Sequence, residues 1–424
     1  MISVTARGKH ASSGAGLWSS WPLPVIILCA IILRLGAVVV LRPTLESDPL
    51  AYFTMAKSLV EHGVLSDNFG QHAFYSAGYP LALAPFFWLF GSSIPVALSV
   101  NMLLAAVTLL LVDRLARVVT GRSEVALLAA AAVAVWLPSI WSATLLAKEN
   151  LSTPLLLGFA LCAVRIARGE RLLLHAVLGG LAWGAGLVTG GSSLLLALGV
   201  ALPLLTMARL DFRRAFTAAS CFAIGAALVL GPWFYSTYRM VGTPVLTTNA
   251  AFNLYLGNNP AATGRFVSIA DTPLGPGWNP TRIALGEIRN ARRLQEKAHD
   301  WIVANKARAA QLGALKLAYF WEPNIPDSTD FAESKSVAGI RLIEVAQYLL
   351  IIGLALWGFR SNDVDRRAKH VLAAMILGFW LLHAAAYIIP RYRDPVVPLL
   401  IIMAAAPVAA RLRIRMNWKN EDAV

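Results

Sequence analysis

Two carboxylates one residue apart, Glu46-Ser47-Asp48, stand just after a long apolar run, Trp21 to Leu41. Paired acids beside a membrane can take a proton from a hydroxyl or hold a cation. A third acid, Glu149 in Lys148-Glu149-Asn150, opens another apolar run. Pro390-Arg391-Tyr392-Arg393-Asp394-Pro395 adds two guanidiniums, whose planar forks suit phosphate oxygens. The set therefore combines a candidate base with candidate phosphate cations. Each group also has a plainer reading. Asp48 before Pro49 is the pattern of a helix N-cap followed by proline in the first turn. Glu149 suits the positive end of a helix dipole. The arginines can pair with Asp394 or snorkel to head groups.

Composition dictates the elements that must position these groups. Of 424 residues, 57% are apolar and only 14% are charged, where a soluble domain carries roughly a quarter. An all-α polytopic membrane protein follows. Ten apolar stretches are expected to span or enter the bilayer: 22–41, 79–112 (a short re-entrant piece, then a long helix from Ile94), 123–141, 150–167, 172–189, 191–208, 215–236, 338–358, 370–389 and 395–411. The N-terminus, with Arg7 and Lys9, imitates a signal peptide. Its apolar run is too long for that and has no convincing cleavage site, so it counts as a span.

Short basic connectors fall on alternating loops: Arg114/Arg117/Arg122, Arg165/Arg168/Arg171, Arg209/Arg213/Arg214, Arg360/Arg366/Arg367/Lys369 and Arg411/Arg413/Arg415/Lys419. The positive-inside rule puts them and both termini in the cytoplasm of a cell with this protein in its inner membrane. Segments 42–78, 139–149, 189–192, 237–336 and 390–394 then face outward, so the acids and the Arg391/Arg393 pair share the periplasmic or exterior face. Topology accounts for most of the net charge of +14 without a nucleic-acid partner. Cys29, Cys162 and Cys221 lie in spans and imply no disulfide framework. Three regions result: 1–236, a transmembrane module with the acidic motif; 237–336, a large outer loop; and 337–424, C-terminal spans with a basic tail.

The outer segments carry further candidates. Leu50, Phe53, Leu59 and Val60 sit at helical spacing after Asp48, predicting an amphipathic helix on the bilayer surface that also carries Lys57. Asn258-Asn259-Pro260 lies in a Gly- and Asn-rich stretch that predicts turns and offers amides to sugar hydroxyls. The stretch 281–316, with Arg289, Arg292, Arg293, Lys297, Lys306, Arg308 and Lys316, reads as a basic amphipathic layer on lipid head groups. Trp301, Tyr319, Phe320 and Trp321 suit an interfacial belt. Arg34, inside the first span, is expected to partner another span. His62 and His72 are outer histidines that can titrate or coordinate. No nucleophile elbow, P-loop, dinucleotide fingerprint or clustered Cys/His set is present.

Taken in order, these loops resemble the GT-C glycosyltransferases, particularly glycosyltransferase family 39, with its protein mannosyltransferases and lipid A aminoarabinose transferases. The resemblance rests on Glu46-Ser47-Asp48, Ser76-Ala77-Gly78-Tyr79-Pro80, Ala147-Lys148-Glu149-Asn150, Gly231-Pro232-Trp233, Asn253 to Pro260, and Arg391-Tyr392-Arg393. It implies a GT-C-like bundle of about ten transmembrane helices with amphipathic outer-face helices. It also implies sugar transfer, with inversion, from a polyprenyl-phosphate donor to a hydroxyl of a glycan, lipid or protein acceptor. By resemblance Asp48 is the base, and Glu46 and Glu149 orient the acceptor or hold a cation. Arg391, Arg393, Arg239 and Lys57 would bind the lipid phosphate; Tyr79, His72, Lys148, Asn258 and Asn259 would meet sugar or acceptor. The cofactor is either none or a divalent cation, Mg or Mn, near the acidic motif. Two departures stand out: the acids are separated by Ser47, and Ser236-Thr237 replaces an Arg-Asn pair common in relatives. A glycan ligase or polymerase is one rival reading, but such enzymes lean on arginine and histidine. A lipid or small-molecule transporter is another, and would place ionisable groups mid-span in paired repeats.

Overall fold

The computed structural model describes residues 22–42, 44–326 and 334–421. Arg7 and Lys9, and the side chains of Arg413, Arg415 and Lys419, lie outside what it describes. The described chain is helical, with one isolated bridge between Arg265 and Ile388. Eight of its helices are long and apolar enough to cross a membrane, or nine if one bent pair counts as a single span. The ninth expected span, 370–389, is the helix Arg366–His383, which is not among these eight and whose first turn carries Arg366, Arg367 and Lys369.

In chain order the membrane helices are α1 (Pro22–Leu41), then, after the surface helix α2 (Ser47–His62), the short α3 (Gly78–Phe90), α4 (Ile94–Thr120), the bent pair α5 (Ser123–Ala134) and α6 (Leu137–Thr144), α7 (Glu149–Arg168), α8 (Leu172–Thr189), α9 (Leu198–Ala208) and α10 (Phe212–Val241). Helices α11 (Asn249–Gly257), α12 (Trp278–Leu285), α13 (Glu287–Ala304) and α14 (Lys306–Phe320) follow in the segment expected to face outward. The chain closes with α15 (Lys335–Arg360), α16 (Arg366–His383), a 3-10 segment Pro390–Val396, and α17 (Val397–Glu421). Large apolar side chains such as Val40, Leu205 and Leu350 remain exposed, as a lipid-facing surface requires.

The stretch expected as one straight span, 123–141, is instead broken at Val135-Trp136 and bends by 54°. Pro138 explains it: proline has no amide hydrogen, and its ring clashes with the carbonyl four residues back, that of Ala134. In hydrocarbon the freed groups need partners. Arg34 Nη1 donates to the Ala134 carbonyl at 3.0 Å and its Nη2 to Ser139 Oγ at 2.7 Å. Gln347 Nε2 donates to Val135 O at 3.1 Å, while its Oε1 accepts the Leu137 amide at 3.2 Å. Arg34 thus joins another span through its backbone break.

Close backbone approach, rather than large side chains, joins α8 to α10. A Cβ on Gly180 would stand 2.1 Å from the Phe222 carbonyl oxygen, and one on Gly225 would stand 2.3 Å from that of Val177. Small residues at a crossing let helices touch where water supplies no driving force. The same device brings α15 to α17, where a Cβ on Gly358 would meet the Met403 carbonyl at 1.9 Å.

The outer segments form one layer. The Glu287 carboxylate, at the start of α13, accepts the backbone amides of His72 and Ala73. Thr248 N donates to Ala73 O at 2.8 Å, and Thr247 Oγ1 to Phe74 O at 2.6 Å. The Arg282 guanidinium lies 4.5 Å from the ring centres of both Phe69 and Phe74. Of the basic residues expected as a layer over 281–316, Arg289, Arg292, Lys297, Lys306 and Arg308 are exposed, whereas Lys316 is not. Lys316 is buried, with Nζ 3.1 Å from Asn258 Oδ1. Phe320, expected at the interface, is also internal and packs on Phe379 and His383.

Two outcomes follow. Gly180→Ala forces a Cβ into the α10 backbone and should destabilise the protein by roughly 1–3 kcal/mol, whereas Gly36→Ala, with nothing within 4 Å, should not; thermal unfolding in detergent checks both. Burial lowers the Lys316 pKa from 10.5 to about 8. The unfolded chain therefore binds more protons between those values, and stability rises with pH across that window. Lys316→Met should flatten this rise, read from unfolding midpoints at pH 8 and above.

Candidate active site

Asp48, Glu149 and Arg391 meet at one end of the bundle. Arg391 Nη2 donates to Asp48 Oδ2 at 2.9 Å, and Arg391 Nε stands 3.9 Å from Glu149 Oε1. Glu149 is buried and Asp48 half-buried. Each comes from the start of an element: Asp48 from the first turn of α2, Glu149 from the first residue of α7, and Arg391 from the 3-10 segment that feeds α17. Both acids lie in the first turn of a helix, beside its positive end.

The N-cap reading of Asp48 does not hold. Glu46 occupies the cap position of α2 and makes no capping hydrogen bond, and Asp48 lies inside the helix with its carboxylate on Arg391. Ser47 adopts φ 51°, a left-handed conformation that costs a non-glycine residue about 1–3 kcal/mol. This turn separates the fates of the two acids. Glu46 is exposed and its nearest partner is Thr44 Oγ1 at 3.4 Å.

A set of aromatic and amide contacts holds α2 to the start of α7. Tyr52, one turn beyond Asp48, is buried and packs edge-on against Tyr75 and Tyr79, with ring centres 5.8 and 5.7 Å away. Tyr79 Oη donates to Asn101 Oδ1 at 2.7 Å, and Asn101 Nδ2 reaches the carbonyls of Ala143 and Leu145. Asn150 Nδ2 binds the Leu145 carbonyl at 3.0 Å. Burial, then the charges of Asp48 and Glu149, push the Tyr52 phenol well above its ordinary range, so it stays a neutral donor. Burial and Asp48 raise Tyr75 in the same way.

Lys148 stands one residue before Glu149. Its ammonium lies beside Gly190, 3.8 Å from where a Cβ there would stand, and it makes no hydrogen bond or ion pair with the described residues. It is a half-buried cation next in sequence to Glu149 and uncompensated by any described acid.

The remaining expected residues go elsewhere. Arg393 is buried, with Nη1 on the carbonyls of Phe320 and Glu322 and its guanidinium 4.1 Å from the Tyr348 ring centre. It ties the end of α14 to the 3-10 segment before the last span. Arg239 lies exposed on α10, 3.3 Å from Tyr235 Oη. Lys57 pairs with Glu61 at 3.8 Å on the solvent side of α2. Tyr79 is fully buried and packs against Tyr52. His72 Nδ1 is 2.7 Å from the Leu65 carbonyl, and its amide is held by Glu287. Asn258 spends its amide on the Leu254 and Ala385 carbonyls and its oxygen on Lys316. Asn259 is turned onto the Tyr255 and Leu256 carbonyls. Tyr52 and Asn101 were missed as positioning residues. Signals for both existed: Tyr52 follows Asp48 by one helical turn, and Asn101 is a polar group inside an apolar span.

A divalent cation bridging the acids does not fit this donor set. Among the described residues no three of His, Cys, Asp and Glu are grouped to hold a metal, and the position between Asp48 and Glu149 belongs to the Arg391 guanidinium.

No family model and no curated protein matches the chain. Solved structures do. ArnT from Cupriavidus metallidurans bound to undecaprenyl phosphate is similar with a TM-score of 0.55 at 13% identity, over 91% of this chain and 59% of that one. The oligosaccharyltransferase AglB from Archaeoglobus fulgidus, in complex with an inhibitory peptide and a dolichol-phosphate, is similar with a TM-score of 0.55 at 15% identity, over 96% of this chain and 52% of that one. AglB tethered to an acceptor peptide gives 0.53 at 15% identity, over 94% and 51%. This chain spans between half and three-fifths of the length of these structures. The shared arrangement of helices is the GT-C fold.

Proposed function

We propose that this protein is an integral membrane glycosyltransferase that moves a sugar from a polyprenyl-phosphate donor to an acceptor hydroxyl, with inversion, at the outer face of the membrane. The observation that carries the reading is the convergence of Asp48 and Glu149 on Arg391 at one end of a GT-C fold. Undecaprenyl phosphate on ArnT, and dolichol-phosphate and acceptor peptide on AglB, support a lipid-linked donor and a separate acceptor.

Asp48 is the base. It takes the acceptor hydroxyl proton as that oxygen attacks C1 of the sugar; the C1–O bond to phosphate breaks, and its electron pair leaves with the phosphate oxygen. Arg391 orients Asp48, and Glu149 holds the guanidinium from its other side. Charge developing on the departing lipid phosphate needs a cation. Lys148 is the best-placed one, because no described acid neutralises it. The phosphate role thus moves from Arg393, Arg239 and Lys57 to Lys148, with Arg391 shared between the acids and the donor.

In proteoliposomes supplied with undecaprenyl-phosphate-linked sugar and cell-envelope acceptor, Asp48→Asn should lower turnover by roughly 10²–10⁴-fold with an unchanged unfolding midpoint; near-normal turnover would sink the assignment. Lys148→Ala should raise KM for the lipid donor about tenfold and leave the acceptor KM unaltered, for the loss of one charge-assisted contact. Initial rates against each substrate distinguish the two.

A further inference from the structure

The opposite end of the bundle carries a second charged cavity. α7 runs 20 residues from Glu149 to Arg168, a rise of about 30 Å, so Arg168 lies a membrane's thickness away from the acids. A cavity of about 880 Å³ opens there between the C-terminal ends of α4 and α7 and the N-terminal end of α16. Arg117, Arg168, Arg366 and Lys369 line it together with Val119 and Val364.

Pairing the charges leaves a remainder. Arg117 is held in bidentate fashion by Asp113, at 2.8 and 3.0 Å. Of the lining acids, Asp365 meets Arg168 at 3.4 Å and Asp363 meets Arg122 at 3.5 Å. Arg366 has no hydrogen bond or ion pair with the described residues, and Lys369 donates to the neutral carbonyl of Ser361. Two positive charges therefore face the cavity without an acid, beside three valines, Val118, Val119 and Val364. They sit at the ends of membrane helices, the depth of lipid head groups.

We infer that this cavity binds the phosphate head group of an anionic phospholipid, with Arg366 and Lys369 on the phosphate and the valines against the glycerol backbone. Charge remainder, volume and depth all favour a lipid over a soluble anion: a free phosphate would leave most of the space and the apolar wall unused. The site is separate from the acids and does not depend on the reaction proposed for them.

The test uses the purified full chain, delipidated in neutral detergent and titrated with phosphatidylglycerol while the unfolding midpoint is followed. The midpoint should rise to saturation with phosphatidylglycerol and not with phosphatidylcholine. Arg366→Ala combined with Lys369→Ala should move half-saturation up by about tenfold to thirtyfold, at about tenfold or less for each cation near the surface. Arg366→Lys, which keeps the charge, should titrate like the parent. Arg209→Ala with Arg213→Ala, two exposed cations on another connector, should leave half-saturation in place. An equal loss in both double variants would mean diffuse attraction and overturn the site. Inorganic phosphate raising the midpoint as far as phosphatidylglycerol would overturn the lipid assignment.

Discussion

A guanidinium held between two carboxylates sets the geometry at one end of the helix bundle. Asp48, Glu149 and Arg391 are far apart in the chain, and each begins a structural element, so their pairing registers α2, α7 and the last span against one another. The two pairs differ in weight. The Asp48 side chain is 34% exposed and that of Glu149 only 9%. Exposed ion pairs contribute about 0–1 kcal/mol, while stripping the partner from a buried charge costs about 3–5 kcal/mol. Glu149 therefore depends on Arg391 more than Asp48 does, even though its contact is the longer one.

The bilayer imposes the second constraint. Backbone groups that lose their helical partners inside hydrocarbon must find others. At Val135-Trp136 the lost partners are replaced by Arg34 and Gln347, from spans at opposite ends of the sequence. The bend has a consequence for the site. It lets the short α6 turn back toward α7, and the carbonyls of Ala143 and Leu145 thereby become the anchor for Asn101. Through Tyr79 and Tyr52, that anchor reaches the helix carrying Asp48. Rigid support of this kind is what a reacting group needs, since a misplacement of about 1 Å can cost on the order of 10²-fold in rate.

The outer layer is built by a similar exchange between distant segments. Glu287 gives its carboxylate to the amides of His72 and Ala73, which places Tyr75 against Tyr52. Asn258 and Lys316, which read as surface groups, close the other side of the layer by satisfying each other and the backbone near Ala385. The side chains that look most like sugar ligands are thereby spent on architecture. Lys148, with no acid to neutralise it, remains available.

Apolar length and the alternation of basic connectors were enough to read a polytopic helical membrane protein from the sequence, with nearly every span in place, because both signals are local and are set by the bilayer itself. The order of acids and arginines also pointed to Asp48, Glu149 and Arg391. Three things were beyond the sequence. Pro138 marks a possible break, but only the packing of Arg34 and Gln347 makes one tolerable at that depth. Glu46 and Asp48 are equivalent as residue types, and the left-handed turn at Ser47 decides which one faces inward. Arg391 and Arg393, two residues apart, look like a pair; the tight turn of the 3-10 segment sends one to the carboxylates and the other into the carbonyls of Phe320 and Glu322. Charge and spacing nominate groups for chemistry, and the direction each side chain takes comes from contacts hundreds of residues away in the chain.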